Sequence, residues 1–263
     1  MKSRTNEKTG PIRKISKRSI ALFILVFAGM LIVTAPATLL SSVVESASNG
    51  QFVLANATGT VWSGSASPAL RQHSGSLMAL EKLHWNIAIL PLFTGKLVTG
   101  LKWDNVEQSQ PMLVTASFAQ VELRNAIIPL QAGVLGELAP MLQPAQLSGQ
   151  MQIKSDLFTL AKSGINGEAV ADWLNAGSVL SAVNPLGSYR LNLKGAGERL
   201  DVSLMTLSGA LILEGSGSFS RSQGVKFQAT ARASESSKDS LRELLNNFGP
   251  ETSPGVRTLN IMR

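Results

Sequence analysis

The segment GVKFQATARA, residues 224–233, alternates apolar and polar side chains along its length. Two further segments, SYRLNLKG at residues 188–195 and LSGQMQIKS at residues 147–155, alternate in the same way. A period of two puts one face of a strand in the core and the other in water, which is the habit of antiparallel sheets. Residues 187–232 are therefore predicted to form a meander of four strands.

The remaining segments extend this mainly β interpretation. Strands are predicted at LHWNIAIL (83–90), GKLVTGLKW (95–103), AQVELRNA (119–126) and VRTLNI (256–261). Residues 127–142 fit a short helix or a loop, and GEAVADWLNAG (167–177) fits a helix or a strand. Near the C-terminus, Leu241, Leu244, Leu245 and Phe248 recur at helical spacing. We predict a short helix there, capped by Ser237, ended by Gly249 and packed on the sheet.

A weak internal repeat suggests that the sheet domain has two similar halves. Gly59 to Trp62 and Gly167 to Trp173 both join glycine, small residues and a tryptophan, about 108 residues apart. A subdivision of the domain near residues 145–165 would agree with this repeat.

Positive charge is concentrated at the start of the chain. Residues 1–18 hold seven of the 24 Lys and Arg residues and one of the 17 Asp and Glu residues. The rest of the chain is nearly neutral, whereas a nucleic-acid-binding domain carries its basic patch in the folded part. Nucleic acid is therefore not expected as a partner.

An uncharged segment follows this basic leader. Ile20–Leu40 contains 21 residues without a charge, close to the roughly 20 that span a bilayer as a helix. We predict a cytoplasmic leader at 1–18, a transmembrane helix at 19–40 and a periplasmic β-rich domain at 45–263, because basic residues hold their side in the cytoplasm. The alternative is a cleaved signal peptide, with the small residues of SAS (46–48) as its cleavage site. Pro36 shortens the helical part to about residues 20–34.

The stretch ATGTVWSGSA, residues 57–66, places a tryptophan among very small residues. In a strand, Trp62 would share a face with Gly64 and Ala66, and a large ring can cover the gap that a strand glycine leaves. We expect Trp62 to be a core residue, with a partner-binding anchor as the alternative. Trp85 and Trp103, on the apolar faces of their predicted strands, are candidates for the same two roles.

No arrangement of residues in the sequence indicates catalysis. There is no cysteine, and the two histidines, His73 and His84, are not spaced as a metal site. The GAGERL segment (195–200) lies between two strand patterns, so it is interpreted as a turn and not as a dinucleotide motif. No catalytic, cofactor-binding or metal-binding residue is predicted.

Several segments, in order along almost the whole chain, resemble the type II secretion system protein N (GspN) family. Besides the basic leader and the apolar segment, they are GTVWSGSA, LHWNI, GKLVTG, NPLGSYRLNLKG, LSGALILEGSGSF and LRELLNNFG. The resemblance implies a single-pass inner-membrane protein with a periplasmic β-rich domain and no catalytic residues. It also implies an accessory role in exporting folded proteins, with partners among the inner-membrane platform or outer-membrane secretin subunits.

Two functions remain open at this point. The first is a subunit that binds other secretion components by side-chain pockets or by strand addition. The second is a membrane-anchored lipid-binding protein whose sheet cups acyl chains along its apolar face. A covered apolar face would favour the first function, and an apolar face open as a groove would favour the second.

Overall fold

The alternating segments pair into one antiparallel sheet of fifteen strands in the computed structural model, which describes residues 17–72 and 75–262. The strands are β1 Phe52–Gly59, β2 Ser63–Arg71, β3 Leu77–Ala79, β4 Leu83–Ala88, β5 Lys96–Trp103, β6 Met112–Ser117, β7 Gln120–Gln131, β8 Ser148–Ala161, β9 Gly164–Gly177, β10 Gly187–Gly197, β11 Arg199–Gly209, β12 Leu211–Ser220, β13 Gly224–Ala233, β14 Glu251–Ser253 and β15 Val256–Met262. The predicted four-stranded meander is confirmed as β10 to β13.

Strands that follow one another in sequence are, with two exceptions, neighbours in the sheet. β3 pairs beside β2, and β14 lies outside β15 at the edge. We call one end of the sheet the proximal end and the opposite end the distal end. The proximal end carries the connections at residues 60–62, 89–95, 118–119, 162–163, 198 and 221–223. The distal end carries the connections at residues 80–82, 104–111, 132–147, 178–186, 210 and 234–250.

The helices are α1 Lys17–Val33, α2 Thr38–Ala47, α3 Val134–Leu138 and α4 Lys238–Asn246, with short 3-10 turns at Leu90–Thr94, Pro140–Ala145 and Glu235–Ser237. The chain divides into one unit up to Ala35 and a second from Pro36 onward. Nearly all of the predicted basic leader, residues 1–16, lies outside the described residues.

Two helices occupy residues 19–40, and the first of them ends early, as the position of Pro36 predicted. α1 ends at Val33 and α2 begins at Thr38. Between them stands Pro36, which has no amide hydrogen to continue the helix and instead bridges to Thr60. Across residues 17–72 and 75–262, none of the helices combines the length and the apolar character that crossing a membrane requires.

Two ambiguous segments are resolved by pairing partners that lie far along the chain. Residues 167–177 are strand, since they belong to β9 between β8 and β10. Residues 127–131 extend β7, and the following segment forms the short helix α3. The internal repeat is not supported, because Trp62 lies in a turn whereas Trp173 lies within a strand.

Helices cover the apolar face of the sheet at its two lateral edges. At one edge Ala37 and Leu40 of the α2 segment pack with Ala66 and Trp85. At the other edge α4 buries the predicted stripe of Leu241, Leu244 and Leu245 against the sheet, where the buried sheet residues are Leu211, Ala231 and Ala233. The predicted packing of this helix is thus confirmed. Ser237 stands at the N-cap position but makes no side-chain capping bond.

Candidate interaction site

A groove of about 780 Å³ lies on the polar face of the sheet and crosses the strands from β9 to β15. Each strand contributes polar side chains to it: Glu168, Asn192, Lys194, Asp201, Ser203, Ser216, Ser218, Lys226, Gln228 and Asn260. These residues alternate with the apolar ones that face the other side. The recess is therefore lined by hydrogen-bonding groups, which suit a polar or charged partner segment.

Small residues on β12 make room for this groove. Residues 214–220, EGSGSFS, put Ser216 and Ser218 on the polar face and Gly215 and Gly217 on the apolar face. On the apolar side the ring of Phe227 covers both glycines: a Cβ at Gly215 would lie 3.0 Å from Phe227 Cζ, and one at Gly217 would lie 2.8 Å from Cδ2. The aromatic ring replaces the packing that strand glycines lose.

Bending of the sheet deepens the groove. Arg221, in the β12–β13 turn, donates from Nη1 to the carbonyl oxygen of Lys162, in the β8–β9 turn, at 3.1 Å. β9 and β12 are three strands apart, which is about 14 Å in a flat sheet at the usual spacing. The contact therefore reflects curvature of β9–β13 toward the polar face.

Two ion pairs join β9 to β10 on this polar face. Lys194 Nζ lies 2.8 Å from Glu168 Oε1, and Arg190 donates to both carboxylate oxygens of Asp172 at 2.6 and 2.9 Å. The hydrogen bond from Arg190 is the main reason that the pKa of Asp172 is lowered, and the hydrogen bond from Lys194 lowers that of Glu168. Because the two residues of each pair stand directly opposite each other, both pairs favour this alignment of β9 and β10. The pair of Lys194 and Glu168 also cancels two of the charges that line the groove.

Of the three predicted tryptophans, Trp62 is placed differently from the expectation. It lies in the turn between β1 and β2, half-buried, and its carbonyl oxygen accepts a hydrogen bond from the Ile87 amide at 2.6 Å. The ring that covers Gly64 belongs to Trp85, because β4 pairs Trp85 directly with Gly64. A Cβ at Gly64 would lie 2.6 Å from Trp85 Cζ2.

Trp85 and Trp103 are both buried. Trp85 is 6% exposed, packs with Ala37 and Ala66, and donates from Nε1 to the Val61 carbonyl at 3.0 Å. Trp103 is 7% exposed, at the end of β5 opposite Leu83. Their positions fit core roles, whereas the position of Trp62 leaves a role at the surface open.

The other residues considered from the sequence lie outside the groove or at its rim. His84 Nε2 lies 2.6 Å from Asp104 Oδ1 at a half-exposed position, and His73 lies outside the described residues. GAGERL is the β10–β11 hairpin, as predicted: Glu198 forms its exposed turn, and Arg199 pairs with Asp201 at the groove rim. Arg199 and Asp201 form an ordinary surface ion pair, and His84 and Asp104 share a surface hydrogen bond.

A comparison with protein families gives the decisive match. The model described as type II secretion system (T2SS), protein N, matches residues 51–260. The chain belongs to this family. Comparisons with curated proteins and with solved structures gave no match. As a protein N family member, the chain is a component of the type II secretion system, and the family is one of secretion components and not of enzymes.

Sequence reasoning missed the groove of this protein N family member, although two signals for it were available. The Ser-Gly alternation of residues 214–220 indicates a strand with short side chains on both faces. Opposite charges also recur at matching positions of β9 and β10. Neither signal shows that the sheet bends toward its polar face, which is what turns the strip of polar residues into a recess.

Proposed function

We propose that this chain is an inner-membrane accessory subunit of the type II secretion system that holds other secretion components through its polar groove. The family match over residues 51–260 carries this proposal. The groove adds support, because its serines, amides and paired charges can bind an extended segment of a platform or secretin subunit. The alternative, a lipid-binding protein whose sheet cups acyl chains along its apolar face, is not favoured by the family match.

The proposed topology has residues 1–18 in the cytoplasm and residues 45–263 in the periplasm. It is supported by the basic leader and by the large apolar side chains between residues 20 and 33, each of which is 47–70% exposed around α1. A helix that is apolar on all sides needs an apolar environment, such as a bilayer.

Fusion of alkaline phosphatase after residue 80 tests this topology. We expect an active fusion, because the enzyme folds only after export, and we expect the intact protein to stay with membranes through a carbonate wash. An inactive fusion would show the opposite orientation. Release of a shortened soluble form would instead show that the leader is cleaved.

A deletion strain and a groove-filling variant test the function. We expect deletion to leave exoproteins in the periplasm or to slow their release, measured by secreted and periplasmic exoprotein activity. Ser216→Trp should move secretion toward the level of the deletion strain, because Ser216 lines the groove and a large ring there would occupy the space.

The matched control is Ser240→Trp on the exposed side of α4, which should secrete normally. Both variants should accumulate to the wild-type level with unchanged circular dichroism. Normal secretion by Ser216→Trp would remove the groove from the proposal. Normal secretion by the deletion strain would remove the accessory role itself.

A further inference from the structure

Three of the most exposed apolar side chains of the sheet unit lie together at its proximal end. Phe118 is 90% exposed in the β6–β7 turn, and Phe93 and Leu90 are 84% and 80% exposed between β4 and β5. The two connections adjoin, since a Cβ at Gly95 would lie 3.4 Å from Phe118 Cε2. Single exposed apolar residues are common, but contiguous ones mark a contact surface.

The apolar surface continues from these tips onto the neighbouring strands. Leu97 pairs with Ala116, Ala116 with Val121, and Val121 with Leu160. The three large side chains of this row are 37–51% exposed. The row and the tips together form one patch along the proximal end, to which we refer as the proximal patch: Leu90, Phe93, Leu97, Phe118, Val121 and Leu160.

Charged residues are also distributed unevenly between the two ends of the sheet. The described proximal connections and the first strand residues after them carry four cations, Lys96, Lys162, Arg199 and Arg221, and one carboxylate, Glu198. Arg199 pairs with Asp201, and the other three cations exceed the single carboxylate. The described distal connections have the opposite balance, with Glu81, Asp104, Glu107, Glu137, Glu235, Asp239 and Glu243 against Lys82, Lys238 and Arg242.

The chain also joins the sheet at the proximal end. Pro36 bridges to Thr60, and the Ala37 amide donates to the Gly59 carbonyl at 3.1 Å. Pro36 is the first residue of the unit that contains the sheet. The half-buried ring of Trp62 lies in the same β1–β2 turn, and tryptophan is enriched where protein meets the membrane interface.

We propose that the proximal patch contacts the surface of an anionic lipid bilayer, with its apolar tips among the headgroups and Lys96, Lys162 and Arg221 beside lipid phosphates. Protruding apolar side chains next to cations suit a lipid surface, because the apolar groups can enter the headgroup layer while the cations are attracted to anionic lipid. The contact would hold the strands away from the membrane and the acidic distal end outward. The proposal rests on membrane anchoring by the N-terminal segment but not on any role of the groove.

Lipid quenching in proteoliposomes tests this contact with the full-length protein. The chain has no cysteine, so Ala119→Cys, beside Phe118, accepts a single environment-sensitive fluorophore. In vesicles of phosphatidylcholine with about one third phosphatidylglycerol, the probe at 119 should shift to shorter wavelength and be quenched by brominated acyl chains. A probe at Ser240→Cys, on the exposed side of the distal helix α4, should do neither.

Two further variants test separately how the apolar tips and the cations contribute to the membrane contact. Phe93→Ser with Phe118→Ser should remove most of the quenching at 119, because the tips no longer insert. Lys96→Glu with Lys162→Glu and Arg221→Glu should reduce it, as should vesicles without phosphatidylglycerol. Circular dichroism checks that each variant folds. Equal quenching at 119 and 240 overturns the proposal, as does quenching at 119 that changes with neither set of substitutions.

Flotation with the vesicles reports the anchor separately. A protein that floats while the probe at 119 stays in water keeps its anchor but does not rest on the bilayer, which contradicts the proposed contact alone. A protein that does not float contradicts the anchor, and with it the delivery of the proximal patch to the membrane.

Discussion

Replacement of Trp85 by alanine is expected to lower the free energy of unfolding by about 3–5 kcal/mol, the usual cost of deleting a buried large aromatic side chain. Trp85 is 6% exposed, its ring covers Gly64, and its Nε1 group satisfies the Val61 carbonyl in the β1–β2 turn. The substitution therefore removes core packing and also leaves Gly64 uncovered. Urea denaturation of the detergent-solubilised protein, followed by circular dichroism, measures the change.

Trp62→Ala is the matched control for Trp85→Ala. The Trp62 ring is only half-buried and lies in a turn, so Trp62→Ala should lower the free energy of unfolding by about 1 kcal/mol or less. A loss for Trp62→Ala equal to that for Trp85→Ala would show that the turn tryptophan belongs to the same core. It would also argue against a role of Trp62 at the membrane surface.

Leu241→Asp is expected to detach α4 from the sheet and to cost more than about 4 kcal/mol. Leu241 is 0% exposed and belongs to the cluster that α4 forms with Leu211 and Ala231. A carboxylate there would be buried without a partner, and the lost apolar contacts would add to this penalty. Limited proteolysis should then cut near residues 234–250, and the denaturation midpoint should fall.

Ser240→Asp supplies the control for Leu241→Asp, since it adds the same charge one position earlier on the exposed side of α4. Its effect should stay within about 0.5 kcal/mol. If Leu241→Asp resists proteolysis as well as Ser240→Asp does, then α4 does not hold the distal part of the sheet. The core assignment at β12 and β13 would then be wrong.

Much of the fold follows from patterns within short segments. The alternation in residues 188–195 and 224–233 predicts strands that have one wet face, and the chain forms them there. The spacing of Leu241, Leu244 and Leu245 predicts a helix whose apolar side lies on the sheet, which the structure also shows. Such predictions succeed because the side-chain period of a strand or helix is set by local backbone geometry.

The predictions that were wrong or left open depended on distant partners. Residues 167–177 carry both helical and strand spacing, and only pairing with β8 and β10 makes them a strand. The early end of the first helix was predicted from the local effect of Pro36, whereas the placement of Pro36 beside Thr60 is a tertiary contact. Likewise, the ring over Gly64 comes from β4, about twenty residues away, because strand register determines which residues face each other.

The sequence alone determined the mainly β character, the C-terminal amphipathic helix, the basic leader and the family resemblance, all of which are written in local composition and periodicity. Tertiary structure alone decided where the polar groove lies, which tryptophans are buried, and that the exposed apolar tips and the cations share the proximal end. The physical reason is that these features need strands aligned in register and a sheet bent over several strands. No short segment encodes these features, because they bring together residues that are far apart in the chain, such as Arg221 and Lys162.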